Sequence, residues 1–93
     1  MFSLDNKIAV ITGGGSGIGK AIAKLFAKQG AIVHILEWNT DSATETADEI
    51  KKDNGKAFVY KCNVAKQQEV LAIFERIGEI NVLVNNAGIQ RDQ

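Results

Sequence analysis

Residues 8–19 read IAVITGGGSGIG, a short apolar run that breaks into a cluster of glycines and continues into an amphipathic stretch. Because glycine has no Cβ, the chain can turn sharply after Thr12 and present bare backbone amides to an anion. A helix that follows such a turn adds the partial positive charge of its amino terminus, which favours a phosphate. The segment predicts a strand, a phosphate-binding turn and a helix, with an ordinary tight strand-to-helix turn as the alternative.

The spacing of the glycines differs from the common dinucleotide fingerprint. Gly13, Gly17 and Gly19 fall as TGxxxGxG and not as GxGxxG. This pattern resembles that of the short-chain dehydrogenase/reductase family at the first strand-to-helix turn of a Rossmann-type domain. The resemblance implies that the loop binds a dinucleotide through Gly13, Gly15, Ser16, Gly17, Ile18 and Gly19.

Composition and charge narrow the class of protein. The 93 residues are 45% hydrophobic and carry 11 acidic and 11 basic side chains, which is typical of one small globular unit without affinity for nucleic acid. No apolar run approaches the roughly 20 residues that span a bilayer, and the first residues lack the blocks of a signal peptide. A single cysteine fits a reducing compartment, so we expect a cytoplasmic protein. One histidine and one cysteine predict no metal site.

Hydrophobic periodicity predicts the order βαβαβαβ. Strands are expected over residues 7–12, 31–36, 56–62 and 80–85, and helices over 17–29, 40–54 and 66–77. The first helix is expected to bury Ile18, Ile22, Leu25 and Phe26. Either Thr40 or Asp41 is expected to cap the second helix.

Alternating strands and helices predict an α/β fold, a Rossmann-type doubly wound parallel sheet. A strand order of 3-2-1-4 places a crevice between the first and fourth strands, and ligands bind outside the carboxyl ends of such strands. The fourth strand would be central in a full sheet, so we expect residues 1–93 to be the N-terminal part of a single NAD(P)-binding domain. Further C-terminal strands and helices are then absent from this chain.

An acid ends the second predicted strand. Glu37 lies about 20 residues after the glycine loop, where this architecture places a carboxylate on the adenosine ribose hydroxyls. Such a carboxylate repels a 2′-phosphate, and its sequence neighbours supply no cation, which favours NAD over NADP. The alternative is a solvated residue that follows a buried strand. Trp38 either covers the adenine or shields the sheet edge.

Two further segments carry the family resemblance. NNAG at residues 85–88 matches the family motif at the end of the fourth strand, and it implies that Asn86, Ala87 and Gly88 pass beside the adenosine ribose. Asn63 and Val64 stand where many members have Asp-Val at the adenine amino group. An asparagine oxygen can still accept that hydrogen bond, although without charge.

The family's catalytic pattern is missing from these residues. The resemblance implies a tyrosine, a lysine four positions later and a serine about a dozen residues earlier, whereas the one tyrosine, Tyr60, is followed by Val64 at that spacing. We therefore expect a cofactor-binding half of an NAD-dependent oxidoreductase, inactive alone, that in a longer homo-oligomeric protein acts on a secondary alcohol or ketone. A non-catalytic NAD-binding or regulatory module and an inactive fragment are the alternatives. The last residues, NNAGIQRDQ, resemble both 3-oxoacyl-[acyl-carrier-protein] reductases and gluconate 5-dehydrogenases.

The other reactive side chains have structural interpretations. His34 lies in a strand expected to be buried and is interpreted as a neutral core histidine. Cys62 is interpreted as an inert thiol, because nothing near it in sequence would lower its pKa. Lys20, Lys24 and Lys28 recur at helical spacing and predict a solvated face.

Overall fold

A computed structural model describes residues 3–15 and 17–86 of the chain. Seven elements alternate along it: β1 (Ile8–Thr12), α1 (Gly17–Lys28), β2 (Ile32–Glu37), α2 (Thr40–Lys52), β3 (Lys56–Lys61), α3 (Gln67–Ile77) and β4 (Val82–Asn85). The predicted order βαβαβαβ is confirmed. The bounds differ from the prediction by at most two residues, and β2 extends as far as Glu37.

The four strands form one parallel sheet in the order β3-β2-β1-β4, as predicted. β1 is central among the described strands, and Thr12 at its end is in register with Leu36 of β2 and Asn85 of β4. The carboxyl ends of these three strands therefore meet at one edge, directly before the glycine loop.

Helices cover both faces of the sheet. On one face, Ile11 and Ile35 pack with small residues of α1 and α2, among them Ala23 and Ala43, which let the helices approach the strands closely. On the other face α3 packs through Ile73 against a second cluster, formed by Val10, Leu36 and Cys62. Helices on both faces of a parallel sheet define the doubly wound fold.

The buried face of α1 differs from the prediction. Ile18 and Leu25 are 58% and 54% exposed, whereas Ala23 is fully buried and Ile22 and Phe26 are partly buried. Residues seven apart share a direction on a helix, so Ile18 and Leu25 lie on one flank. α2 packs along the side of α1 that carries Lys20 and Lys24. It does not cover the flank that carries Ile18 and Leu25.

The start of α2 also differs from the prediction. Asn39, and not Thr40 or Asp41, is the N-cap, and its Oδ1 accepts a hydrogen bond from the backbone N–H of Ser42 at 3.4 Å. Asn39 has an extended backbone and a short acceptor side chain, which are the properties that a cap needs.

His34 is buried within the sheet, as interpreted. Its Nδ1 lies 2.9 Å from the hydroxyl of Tyr60, and its ring stacks on Phe58 at 5.1 Å between centroids. Burial lowers the pKa of His34 below its ordinary value, so the ring is neutral near pH 7. The His34 ring therefore takes part in the packing between β2 and β3.

The lysine stripe of α1 is more than a solvated face. Lys20 and Lys24 both bind the carboxylate of Glu49 on α2, at 3.0 and 2.7 Å. The hydrogen bonds from Lys24 and then Lys20 lower the pKa of Glu49 to about 2 from an ordinary 4.5. These ion pairs tie α1 to α2 on the outside of the sheet.

Substitution of Glu49 tests this tie. A lowered pKa stabilises the fold fully above pH 4.5, and the contribution is lost as the pH falls toward 2. We expect Glu49→Gln to have a smaller loss of unfolding free energy across that range than the unmodified protein, measured by urea denaturation at each pH. Glu45→Gln, at an exposed position of α2, is the matched control and should keep the original pH dependence. An unchanged pH slope in Glu49→Gln would contradict the assignment.

Candidate functional site

The glycine loop joins β1 to α1 at the edge where the strands end. Gly13 and Gly17 adopt positive φ angles of 73° and 58°, a conformation that favours glycine. α1 begins at Gly17 and has no acidic residue in its first turn. The amino terminus of α1 therefore offers its partial positive charge to an anion with no acidic side chain in the first turn to compete for it.

The closest approach in the site joins the loop to the end of β4. The Nδ2 of Asn86 donates to the carbonyl of Gly13 at 2.9 Å, and a Cβ on Gly19 would collide with both groups. Asn86 is fully buried, and its Oδ1 has no hydrogen-bond partner among the described residues. The structure thus brings together the glycine loop and the second asparagine of NNAG.

The ends of the strands are also bound directly to one another. Thr12 donates through Oγ1 to the Oδ1 of Asn85 at 3.2 Å, across the β1–β4 pair. The backbone N–H of Gly13 donates to the carbonyl of Leu36 at 2.9 Å, across the β1–β2 pair. These bonds fix where the loop leaves the sheet.

Glu37 lies against the glycine loop. Its Oε1 accepts from the backbone N–H of Gly15 at 3.4 Å, and its Oε2 accepts from that of Asn39 at 3.2 Å. Glu37 is half-buried at the end of β2. Each carboxylate oxygen can accept a further hydrogen bond, so the group can bind hydroxyls while it keeps both backbone contacts.

Thr46 of α2 contacts the glycine loop through its hydroxyl, a role that sequence reasoning missed. Its Oγ1 lies 3.4 Å from the carbonyl of Gly15 and 3.2 Å from that of Ser42, and Thr46 is fully buried. A Cβ on Gly15 would collide with the side chain of Ser42. The sequence did contain a signal for this role, because Thr46 lies at helical spacing from Ala43 and Ile50 and so falls on the buried face of α2.

A cation also lies beside Glu37, supplied by the neighbouring strand. Lys61 ends β3 in register with Glu37, and its Nζ lies 4.5 Å from the centroid of the Trp38 ring. Sequence reasoning considered only the neighbours of Glu37 along the chain, and none of those is cationic. The pairing of the strands supplies Lys61.

The β3–α3 connection places Asn63 and Val64 at the same edge. The Oδ1 of Asn63 accepts from the backbone N–H of Ala65 at 3.0 Å, so one acceptor position of this oxygen is already used. Val64 packs on the cluster beneath α3. A groove of about 280 Å³ lies here, and Thr12, Val64 and Asn85 are among the residues that line it.

The remaining predicted residues divide between exposed positions and positions that are not described. Gly17 and Ile18 are exposed at the start of α1. Ser16, Ala87 and Gly88 lie outside the described residues. Cys62 is buried, and desolvation, with a smaller effect of Glu69, raises the pKa of its thiol.

Two kinds of feature are absent from the described ranges, 3–15 and 17–86: a metal-binding cluster and a membrane-spanning helix. These ranges contain no cluster of three histidine, cysteine or acidic side chains that could hold a metal ion. They also contain no helix with the length and apolar character needed to cross a membrane.

Comparison with known proteins points to one family. The family profile described as short chain dehydrogenase matches residues 7–93. The 7alpha-hydroxysteroid dehydrogenase of Escherichia coli (strain K12) is 44% identical over 89 residues, which cover 91% of this chain and 35% of that protein. The short-chain dehydrogenase/reductase homolog YusS of Bacillus subtilis (strain 168) is 44% identical over 91 residues, covering 92% of this chain and 84% of YusS.

Solved structures have the same fold. A 7 alpha-hydroxysteroid dehydrogenase complexed with NADH and 7-oxo glycochenodeoxycholic acid superposes with a TM-score of 0.83 at 40% identity. The match covers 91% of this chain and 37% of that one. This chain therefore spans about a third of the length of that dehydrogenase and of the Escherichia coli relative.

Substitution of Gly19 tests the close approach at the loop. We expect Gly19→Ala to lower the free energy of unfolding by about 1–3 kcal/mol, because the added Cβ must displace backbone and Asn86. Helix propensity alone predicts the opposite sign, a gain of up to about 1 kcal/mol. Chemical denaturation decides between them, and a stabilised variant would refute the steric account.

Substitution of Thr46 tests the support of the loop from α2. Thr46→Val keeps the shape and removes the hydroxyl, so we expect the unfolding free energy to fall by about 1–3 kcal/mol as the Gly15 and Ser42 carbonyls lose the donor that they share. Thr46→Ser should recover most of this loss. Thr44→Val, on the exposed side of α2, is the control. Equal effects of Thr44→Val and Thr46→Val in urea denaturation would show that the Gly15 contact is not responsible.

Proposed function

Because the chain belongs to the short-chain dehydrogenase family, we propose that it binds the adenosine and pyrophosphate of NAD as part of an oxidoreductase. The observation that carries the proposal is the contact between the carboxylate of Glu37 and the backbone of Gly15. This contact puts an acceptor for ribose hydroxyls next to a loop suited to a pyrophosphate.

The pyrophosphate would be held by backbone groups of the glycine loop and by the amino terminus of α1. Positive φ angles at Gly13 and Gly17 turn the chain there, and the first turn of α1 carries no acid that would repel the anion. The space at Gly19 is filled by the Gly13 carbonyl and Asn86, so the loop is already folded against the sheet. Ser16 and Ile18 are proposed to contribute to the same loop on the ground of the family motif alone.

The adenosine ribose would bind at Glu37. Both carboxylate oxygens keep acceptor positions beyond their bonds to Gly15 and Asn39, which suits a pair of vicinal hydroxyls. A phosphate on the ribose 2′ position would bring two negative groups together. We therefore propose a preference for NAD over NADP, and the structure of a 40% identical dehydrogenase was solved with NADH.

The adenine would lie near the β3–α3 connection and the end of β4. Asn63 has one acceptor position left for the adenine amino group, and Val64 offers backbone and apolar surface beside it. Asn86 brings NNAG to the loop, and Ala87 and Gly88 are proposed to continue along the ribose on the ground of the motif.

NAD accepts a hydride, and we propose that the partner in this exchange is a secondary alcohol or ketone in the whole protein. Relatives of this chain include a hydroxysteroid dehydrogenase and a 3-oxoacyl-[acyl-carrier-protein] reductase. The exposed apolar side chains of Ile18, Leu25 and Leu83 support a homo-oligomer. The one cysteine is a free thiol, which supports a cytoplasmic location.

One observation favours a second candidate, NAD binding without turnover. The one tyrosine, Tyr60, shares a hydrogen bond with His34 inside the sheet, and the residue four positions on is Val64. This tyrosine cannot serve as the family's general acid or base. Incubation of the whole protein with NAD and a panel of secondary alcohols separates the candidates, because NADH forms only if the whole protein transfers hydride.

Glu37 variants test the cofactor assignment, with ADP-ribose and its 2′-phosphorylated analogue as probes of this half of the site. We expect calorimetry to show tighter binding of ADP-ribose, and Glu37→Gln to weaken that binding about tenfold or more, because charge-assisted hydrogen bonds to the ribose are lost. Affinity for the 2′-phosphorylated probe should rise.

Glu75→Gln, at an exposed position of α3, is the matched control and should bind both probes as before. Equal affinity of the unmodified protein for the two probes would overturn the preference for NAD.

A further inference from the structure

A cation and an acid of the proposed dinucleotide site lie side by side without forming an ion pair. Glu37 and Lys61 are register partners at the carboxyl ends of β2 and β3. Opposite charges on directly paired positions of adjacent strands ordinarily attract each other. The ion pairs among the described residues, however, both involve Glu49, and none joins Lys61 to Glu37.

Distance does not explain the missing ion pair. Neighbouring strands lie about 4.8 Å apart, well within the reach of a lysine side chain. The two residues also share a face of the sheet, because Ile35 and Val59 pack in one core cluster and each lies two positions earlier on its strand. The ammonium of Lys61 can therefore reach the carboxylate of Glu37.

Two contacts occupy the groups instead. The Nζ of Lys61 lies over the ring of Trp38, 4.5 Å from its centroid, where the negative face of the ring attracts a cation. The carboxylate of Glu37 accepts from the backbone amides of Gly15 and Asn39. The indole of Trp38 is thus an alternative partner to Glu37 for the ammonium of Lys61.

We propose that Trp38 holds Lys61 away from Glu37 and that these two residues set how strongly the site discriminates against a 2′-phosphate. With its ammonium on the indole, Lys61 leaves the negative charge of Glu37 uncompensated toward the ribose. Without the indole, the ammonium pairs with Glu37, offsets that charge and attracts a 2′-phosphate. This role differs from both roles expected of Trp38, a cover for the adenine and a shield for the sheet edge.

The inference rests on the proposed function, and a double-mutant cycle tests it. The measured quantity is the affinity for ADP-ribose divided by the affinity for 2′-phospho-ADP-ribose. We expect Trp38→Leu to lower this ratio about threefold, the size of an exposed ion pair. Lys61→Met alone should leave the ratio close to its original value, because the ammonium already lies on the indole, and in the Lys61→Met background Trp38→Leu should no longer lower it. Lys56→Met, at the other end of β3, is the matched control and should keep the original ratio.

Several outcomes would overturn the inference. If Trp38→Leu lowers the affinity for both probes by the same factor, the indole covers the adenine. If the ratio falls equally with and without Lys61, the cation is not involved. A ligand-free test is the NMR shift of the Lys61 ε-methylene, which the indole ring current should move upfield in the unmodified protein and not in Trp38→Leu; an unshifted resonance would refute the contact.

Failure of the proposed function has a different signature. If the unmodified protein does not bind ADP-ribose, the dinucleotide site itself is refuted, and this role of Trp38 and Lys61 falls with it. If ADP-ribose binds with the expected preference and Trp38→Leu leaves the ratio unchanged, only the role of the pair is refuted.

Discussion

The site depends on a place where no side chain fits. Gly19, at the start of α1, lies so close to the carbonyl of Gly13 that a Cβ would overlap it, and the same carbonyl accepts a hydrogen bond from Asn86. The loop, the first helix and the end of β4 are therefore fixed against one another at one point. This contact fixes the direction of the amino terminus of α1, and the proposed binding of an anion at the loop depends on that direction.

A second layer of contacts extends from this point to α2. The peptide at Gly15 is held on both sides, by Glu37 at its N–H and by Thr46 at its carbonyl. Thr46 in turn is fully buried, so the position of the loop is linked to the packing of α2 on the sheet. Loop and acid are thereby parts of one hydrogen-bonded unit.

Sequence alone predicted the fold because its signals are local. The apolar runs, the glycine loop and the helix periodicity sufficed for the order of elements, the strand order 3-2-1-4 came from the doubly wound architecture that this order implies, and the structure confirms both. The errors concern surfaces that depend on neighbours in space. Ile18 and Leu25 follow helical spacing, yet the stripe of α1 that meets the sheet is centred on small residues such as Ala23. Asn39 was missed as a cap because Thr40 and Asp41 are equally suitable by residue type.

The pairing of strands explains what the sequence could not reveal about the site. Lys61 stands far along the chain from Glu37, and only the register of β2 with β3 brings the two together. The strand order 3-2-1-4 and the family motif already predicted that β4 lies beside β1 and that both segments belong to one site, whereas the bond from Asn86 to Gly13 was not predicted. Contacts between residues far apart in the sequence leave no local pattern, so the sequence shows only which residue types are available to make them.

The hydrogen bonds at this edge bear on how a ligand would bind. Gly13, Gly15 and Glu37 already have protein partners, so the carbonyl of Gly13 and the carboxylate of Glu37 need no rearrangement to present their remaining acceptor positions. Ordering of loops and side chains on binding reduces affinity, and a site that is held in place beforehand avoids most of that loss. The hydrogen bonds that hold Gly13 and Gly15 in place would thus favour the binding proposed for a charged, flexible ligand.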